Sequence, residues 1–346
     1  CLVGSEMCIR DREPVVLNMS DTLFRMAGER QDERMQAVAI ATQLDYYYFQ
    51  GTNEDSVIHY TNKVKEFAKA THQPKYYYFA WANRLITYYL KTSRTNIALY
   101  EVQNMLKEAQ EEDDKTGLSR CYNIMSQIYT IKRFDSMAFE WRLKEIELTE
   151  KYKIENYNIS QTYAQIANYY INQKKQKEAL AAVEKAIATA NSSTQQISAK
   201  LEFVNYYSKF GDFQAAEKLL KECQAAFEQD KRLESIKKRL YNIECLYYQQ
   251  TKQYQKALEA AKMQEKEERR LSESILSSIH YRTQGEIYQK MGNMNLAVKY
   301  LQMYINTDDS LKIANEQVSS SEFATLLNVE TVSYTHLRAH ETGRNL

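Results

Sequence analysis

Helix-breaking residues are scarce in this sequence. Its 346 residues include two prolines and eight glycines, and both residue types disfavour helix interiors. We therefore expect a chain that is helical over most of its length. Apolar runs are also short, since none reaches the eighteen or so residues needed to cross a bilayer. Contact with a membrane is accordingly predicted only through segments outside this chain.

The motifs of common active sites are missing as well. The sequence has no phosphate-binding GxxxxGKS/T loop, no GxGxxG after a predicted strand, no HExxH pair and no GxSxG elbow. His59, His72 and His280 are widely separated along the chain, so they do not suggest a base or a metal ligand. The sequence thus predicts a chain that is not an enzyme, with no catalytic, cofactor-binding or metal-binding residue and no cofactor.

What the sequence does contain is a repeat. Seven tyrosines recur 37 to 41 residues apart, and each is followed nine residues later by a small residue. The tyrosines are Tyr48, Tyr89, Tyr129, Tyr170, Tyr207, Tyr248 and Tyr288. The small residues are Val57, Ala98, Ala138, Ala179, Ala216, Ala257 and Ala297. A fixed period of this length indicates a solenoid of stacked supersecondary units.

Each unit is consistent with a pair of helices. A helical run ends near the tyrosine, a short polar break follows, and a second helical run begins with the small residue in its first turns. A bulky ring on one helix and an alanine on the next allow the two axes to approach closely. Gly211 and Gly292 lie in the breaks, where a helix end favours a residue with positive φ. The sequence therefore predicts seven helical hairpins.

The pattern resembles the tetratricopeptide repeat. One copy is formed by Gly285, Tyr288, Gly292, Ala297 and Leu301. A second copy is formed by Val204, Tyr207, Gly211, Phe213, Ala216 and Leu220. The period is nearer forty than the usual 34 of that family, so each helix is expected to be about one turn longer. The resemblance implies an all-α, right-handed superhelix of hairpins, and a function in binding rather than in catalysis.

The ends of the chain differ from its centre. Residues 1–12 and 332–346 resemble translated sequencing-adapter sequence and are left out of the fold prediction. Residues 13–34 are predicted to form a partial repeat or capping helix, residues 35–305 the array of seven repeats, and residues 306–331 a C-terminal helix leading out of it. Without the two ends the chain has 42 basic and 42 acidic residues. This balance argues against nucleic-acid binding by the chain as a whole.

Asparagines recur on the first helices of the repeats, where the resemblance implies a concave inner surface. The predicted groove residues are Asn83, Arg84, Asn123, Gln127, Asn168, Asn205 and Asn242. Asparagine is unfavourable in the middle of a helix, and its amide can both donate to and accept from the backbone of an extended peptide. We therefore predict a protein or peptide ligand in this groove. The alternative is that these side chains only solvate the groove or bridge neighbouring repeats.

A short element suggests the context of the array. Asp309, Ser310 and Leu311, followed by a polar helical run, resemble the exit from the repeat region of Bacteroidetes-type signalling proteins. That resemblance implies a bacterial, periplasm-facing sensor region, followed by a membrane helix and a histidine kinase or DNA-binding domain. The alternative is a free-standing cytoplasmic adaptor or assembly scaffold. The sequence leaves open the ligand, the output domain and the oligomeric state.

Overall fold

The computed structural model describes residues 13–51, 53–271 and 278–310, together with residues 319 and 322. The predicted adapter segments and most of 306–331 lie outside these residues. Among the described residues there are fifteen longer helices, one short 3-10 helix (Lys231–Ile236) and no strand. The helices are α1 (Glu13–Glu29), α2 (Glu33–Gln50), α3 (Glu54–Ala70), α4 (74–91), α5 (Thr95–Glu111), α6 (Lys115–Ile131), α7 (Asp135–Tyr152), α8 (Ile159–Asn172), α9 (Gln176–Ala188), α10 (Ser193–Phe210), α11 (Phe213–Gln229), α12 (Lys237–Gln250), α13 (Tyr254–Leu271), α14 (Ile279–Lys290) and α15 (294–310).

The helices follow the predicted hairpin order. Each tyrosine of the repeat lies near the end of an even-numbered helix from α2 to α14, and each small residue lies in the first turns of the helix that follows. We call the even-numbered helices the inner helices, after the position that the repeat resemblance predicts for them. Helix α1 precedes the first repeat and lies within the segment 13–34. The predicted all-α fold of helical hairpins is thus confirmed.

The small residues of the repeat are its tightest packing positions. Their exposed fraction is 0% for six of them and 2% for Ala297. Ala216, for example, lies in a core cluster with Leu220, Cys223 and Leu240, against which Tyr207 packs. A larger side chain at such a position would force the two helices of a hairpin apart, which explains why the repeat keeps it small.

A shared turn follows the repeat tyrosine in six of the seven copies. The carbonyl of the repeat tyrosine accepts a hydrogen bond from the amide five residues later, at 2.8–3.0 Å. The residue before that amide has a positive φ, which is the geometry of a Schellman helix end. It is glycine at Gly211 and Gly292, as predicted. The remaining positions carry larger residues, namely Ser93, Arg133, Lys174 and Lys252.

The chain divides into two compact units, each of which is described by itself. Unit 1 comprises Cys1–Phe134 and Asn315–Leu346, and unit 2 comprises Asp135–Ala314. The described part of unit 1 is α1–α6 with residues 319 and 322. Unit 2 contains α7–α15, and its inner helices α8, α10 and α12 pack side by side. The uninterrupted repeat in the sequence does not reveal this division.

Two residues of the C-terminal segment contact the start of α5 in unit 1. Glu322 is 1% exposed, and its Oε1 accepts hydrogen bonds from the backbone amides of Asn96 at 2.9 Å and Ile97 at 3.2 Å. The Asn96 side chain donates to Glu322 at 2.7 Å and to Ser319 at 3.2 Å. Arg94, the residue before α5, provides no side-chain cap. Glu322 therefore caps this helix from a distant part of the sequence.

Within the described part of the chain, no helix combines the length and the apolar character that a membrane-spanning segment requires.

Candidate binding grooves

The inner helices of unit 1 line a groove of about 1010 Å³, which we call the unit 1 groove. Its walls come from α2, α4 and α6, together with Gln73 just before α4. The lining residues are Glu33, Arg34, Val38, Ala41, Thr42, Asp45, Phe49, Gln73, Lys75, Tyr76, Phe79, Asn83, Arg84 and Arg120. Two of the predicted groove residues, Asn83 and Arg84, are among them.

A π-helical segment shapes one wall of the unit 1 groove. Helix α4 is α-helical at both ends but π-helical over Phe79–Ile86. The hydroxyl of Thr87 donates to the carbonyl of Ala82 at 3.0 Å at the end of this segment. The segment contributes Phe79, Asn83 and Arg84 to the groove. π-Helical turns are rare and occur frequently at functional sites, which makes this wall a candidate contact surface.

Arg84 is the most constrained cation of the unit 1 groove. Its Nε donates to Asp45 Oδ1 in an ion pair, and the two side chains are 18% and 28% exposed. The guanidinium carbon lies 4.3 Å from the ring centroid of Phe79 and 4.8 Å from that of Tyr48. These contacts hold the planar guanidinium in one orientation. Part of it still faces the groove.

The lining of the unit 1 groove carries excess positive charge. It contains Arg34, Lys75, Arg84 and Arg120, against Glu33 and Asp45. The formal charge of the lining is therefore +2, whereas the complete chain has a formal charge of +1. Arg34 and Lys75 are exposed. Arg120 Nη1 lies 3.5 Å from Asn83 Oδ1, so the predicted asparagine contacts a cation of the next inner helix.

A smaller groove, of about 400 Å³, lies in unit 2, and we call it the unit 2 groove. It is lined mainly by hydroxyl and amide side chains, with Lys238 and Arg239 as its cations. The lining residues are Ser160, Gln161, Ala164, Thr194, Gln195, Ser198, Ala199, Ser235, Ile236, Lys238, Arg239, Asn242 and Gln264. Asn242 is the predicted groove residue found here, and it is exposed.

A buried carboxylate organises the inner helices of unit 2. Glu202 is 3% exposed, and Arg239 Nη2 donates to its Oε1 at 2.5 Å. Its Oε2 faces Nδ2 of Asn205 at 3.3 Å and Nδ2 of Asn168 at 3.5 Å. A buried carboxylate requires such donors. Glu202 also positions Arg239, which contributes to the unit 2 groove.

The seven predicted groove residues thus occupy different environments. Asn83, Arg84 and Asn242 line grooves. Gln127 Nε2 donates to Asn123 Oδ1 at 2.6 Å, so these two amides bind each other. Asn168 and Asn205 face Glu202, and Asn205 is only 7% exposed. A role of all seven in peptide binding stays a prediction.

The sequence reasoning missed both acidic partners, Asp45 and Glu202. A signal for them exists, because opposite charges that pair across neighbouring hairpins lie about one repeat apart. Asp45 precedes Arg84 by 39 residues, and Glu202 precedes Arg239 by 37. Glu54 precedes its partner Arg94 by 40. A search for opposite charges at the repeat spacing would have identified all three pairs.

Among the described residues, no group of three or more histidine, cysteine, aspartate and glutamate side chains could hold a metal ion. The unit 1 groove and the unit 2 groove are two candidate binding sites among the described residues. Both offer hydrogen-bonding side chains and cations, and the unit 1 groove also offers aromatic rings.

Comparison with known proteins extends the fold assignment. No family model and no curated protein match the chain. Among solved structures, NprR in complex with its cognate peptide NprX is similar, with 13% identity and a TM-score of 0.54, covering 77% of this chain and 77% of that chain. A tetratricopeptide repeat protein from Parabacteroides merdae shows 11% identity and a TM-score of 0.51, covering 83% of this chain and 98% of that chain.

A third similar structure is a Rap protein complexed with Competence and Sporulation Factor. It shows 13% identity and a TM-score of 0.50, covering 86% of this chain and 98% of that chain. Structural similarity at this level of sequence identity supports a common fold but does not establish a common function. Together with the confirmed hairpin order, these similar structures show that the chain has the all-α helical-repeat fold of tetratricopeptide proteins.

Proposed function

We propose that this chain is a non-catalytic repeat domain that recognises a peptide or an extended segment of another protein. The observation that supports this most is the unit 1 groove, which combines a volume of about 1010 Å³ with aromatic rings, amides and cations on three successive inner helices. Concave sites that place a few polar groups among apolar side chains are typical ligand sites. NprR, which is similar in fold, was solved with its cognate peptide NprX, and the Rap protein was solved with Competence and Sporulation Factor.

The chemistry of the buried thiols supports a non-catalytic role. Burial raises the pKa of Cys121 to about 12 and that of Cys223 to about 11. Because the thiolate is the nucleophilic form, these side chains are unreactive at neutral pH. Nucleophilic chemistry at these two cysteines is therefore not part of the proposed activity.

The proposal is tested by selecting ligands without prior assumptions. A phage-displayed library of random linear peptides is panned against the immobilised chain, and enriched peptides are synthesised and titrated by fluorescence anisotropy. Saturable binding by a common peptide pattern supports the proposal. A library that yields no peptide above the background of an immobilised control protein contradicts it.

We further propose that the repeat domain is the sensory part of a larger bacterial signal-transduction protein. The resemblance around Asp309, Ser310 and Leu311 supports this context. Sequencing the gene and its flanks from genomic DNA tests it, because a membrane-spanning segment and a kinase or DNA-binding domain should then follow residue 331 in the same reading frame. A stop codon close to that position, without an upstream signal peptide, would favour the cytoplasmic adaptor. The same reads test whether residues 1–12 and 332–346 belong to the gene.

A further inference from the structure

The charge distribution of the unit 1 groove points to a class of ligand. Its lining carries four cations and two carboxylates. Arg84 is neutralised by Asp45, but the exposed side chains of Arg34 and Lys75 take part in no ion pair among the described residues. Glu33, the other acidic residue of the lining, lies in the first turn of α2, where the helix dipole favours a carboxylate. The groove therefore carries more positive charge than its own carboxylates neutralise.

Asp45 occupies the position beside Arg84 that the carboxylate of a ligand would take. The rings of Phe79 and Tyr48 orient the guanidinium, so it presents a fixed set of donors. One carboxylate oxygen of Asp45 accepts from Nε. Because both side chains remain partly exposed, a carboxylate supplied by a ligand can reach the same cation from the groove side.

We propose that the unit 1 groove selects acidic peptides, and that Asp45 competes with the ligand for Arg84. This inference rests on the proposed function and adds the ligand class. A side-chain carboxylate of the peptide replaces Asp45 at Arg84, while Lys75 and Arg34 attract further acidic residues. Phe49, Tyr76 and Phe79 lie in the same lining and contact apolar side chains of the peptide. The expected ligand therefore combines acidic with apolar residues.

Selection from the random peptide library tests directly whether acidic peptides are the preferred ligands. Displayed peptides have no free carboxyl terminus when they are fused at that end, so enrichment of aspartate and glutamate reflects side chains. We expect acidic residues to be enriched next to apolar ones. Exchanging the glutamates of a selected peptide for glutamine should weaken binding about tenfold, as expected for the loss of charge-assisted hydrogen bonds. Added salt should weaken binding of the glutamate form more than that of the glutamine form.

Variants of the chain test whether Asp45 competes with the ligand for Arg84 or only forms a structural ion pair with it. Asp45→Asn removes the internal competitor, and we expect it to bind the selected peptide at least threefold more tightly than the unchanged chain. Arg84→Gln should weaken binding about tenfold. Lys75→Gln, which alters an exposed side chain without an ion pair, should weaken it about threefold without affecting the fold. Lys107→Gln on α5, whose side chain is 76% exposed and lies outside the groove lining, is the matched control and should change nothing.

The possible outcomes distinguish this inference from the proposed function. Selected peptides without acidic enrichment, or with equal affinity after glutamate-to-glutamine exchange, would overturn the acidic class while peptide recognition stands. Acidic peptides unaffected by both Arg84→Gln and Lys75→Gln would overturn the assignment to this groove. Weaker binding by Asp45→Asn, with an unchanged circular dichroism spectrum, would overturn the competition. A library that yields no peptide at all would overturn both the inference and the proposed function.

Discussion

The hydroxyl of Tyr78 occupies the space that a Cβ atom at residue 117 would need, so Gly117 is required for the packing of α4 against α6. The same hydroxyl donates to Asp114, which caps α6 by accepting from the amides of Thr116 and Gly117. Tyr78 is only 5% exposed, and it therefore has little room to move. A glycine within a helix is here explained by close approach rather than by backbone flexibility.

Gly117→Ala should consequently destabilise the chain by about 1–3 kcal/mol through overpacking. Gly28→Ala is a matched control, because an added Cβ there meets only the flexible end of Gln36. The control should be neutral or stabilising by up to about 1 kcal/mol, since alanine favours helix. Urea denaturation followed by circular dichroism measures both. Equal midpoints for the two variants would contradict the packing explanation.

The hairpin turns predict a second pair of opposite effects. Lys252 has a φ of +61° and Gly211 a φ of +92° in equivalent turns. A residue with a Cβ is strained in this region, whereas glycine is not. Lys252→Gly should therefore stabilise the chain by about 0.5–1 kcal/mol, and Gly211→Ala should destabilise it by about 1 kcal/mol. Thermal denaturation checks both signs, and destabilisation by Lys252→Gly would refute the assignment of the turn.

The cap provided by Glu322 predicts an effect on a distant helix. Glu322→Ala leaves the part-buried amide of Asn96 and the buried amide of Ile97 without their acceptor, which should cost about 1–3 kcal/mol. Glu111→Ala, which removes a carboxylate that is 65% exposed, is the control and should change stability by less than about 0.5 kcal/mol. Hydrogen exchange gives a specific readout. Protection of the Asn96 and Ile97 amides should fall in Glu322→Ala, and unchanged protection would show that the contact does not cap α5.

The burial of Glu244 predicts that the stability of the folded chain depends on pH. Burial raises the pKa of this carboxyl group above its ordinary value near 4.5, and Gln224 donates to it at 2.7 Å. Between the ordinary and the raised pKa the folded chain binds more protons than the unfolded chain, so the contribution of Glu244 to stability falls as pH rises through that window. Glu244→Gln removes this contribution. The variant should melt at a higher temperature than the unchanged chain at pH 7, and the difference should vanish at pH values below the window.

Glu217→Gln provides a control of opposite sign for this pH dependence. Lys221 lowers the pKa of Glu217 by hydrogen bonding to its carboxylate, so that group stabilises the folded chain above its ordinary pKa. Its replacement should slightly lower the melting temperature at pH 7. A melting difference for Glu244→Gln that stays constant across the acidic range would contradict the role assigned to its burial.

The repeat spacing was sufficient to predict the helices, the hairpin order and the packing positions. Ala216 and Ala257 were identifiable because a buried alanine recurs wherever two helices approach closely, and Gly211 because a helix end favours positive φ. These features depend on the geometry within one repeat, and that geometry recurs with the period of the sequence. They needed no information about neighbouring repeats.

The repeat spacing could not predict which of the groove side chains are available to bind a ligand. Asn168 and Asn205 recur at the expected positions, but both amides face Glu202, which lies one repeat after Asn168 and on the same helix as Asn205. The π-helical turns over Phe79–Ile86 also have no evident local signal, since the segment contains neither glycine nor proline. The contact of Asn168 with Glu202 depends on packing between neighbouring hairpins. Whether such a side chain can reach a ligand is therefore predictable only when its partner one repeat away is considered with it.

The central claim, that the inner helices bind a peptide, is tested most directly by cross-linking. A photoreactive benzoylphenylalanine is introduced in place of Phe79 in the unit 1 groove and, separately, in place of Lys107 on α5. Each variant is irradiated with a library-selected peptide and analysed by mass spectrometry. The proposed function predicts a covalent adduct at position 79 whose yield saturates as the peptide concentration rises, and little adduct at position 107. Equal yields at both positions, or an adduct at position 107 alone, would contradict it.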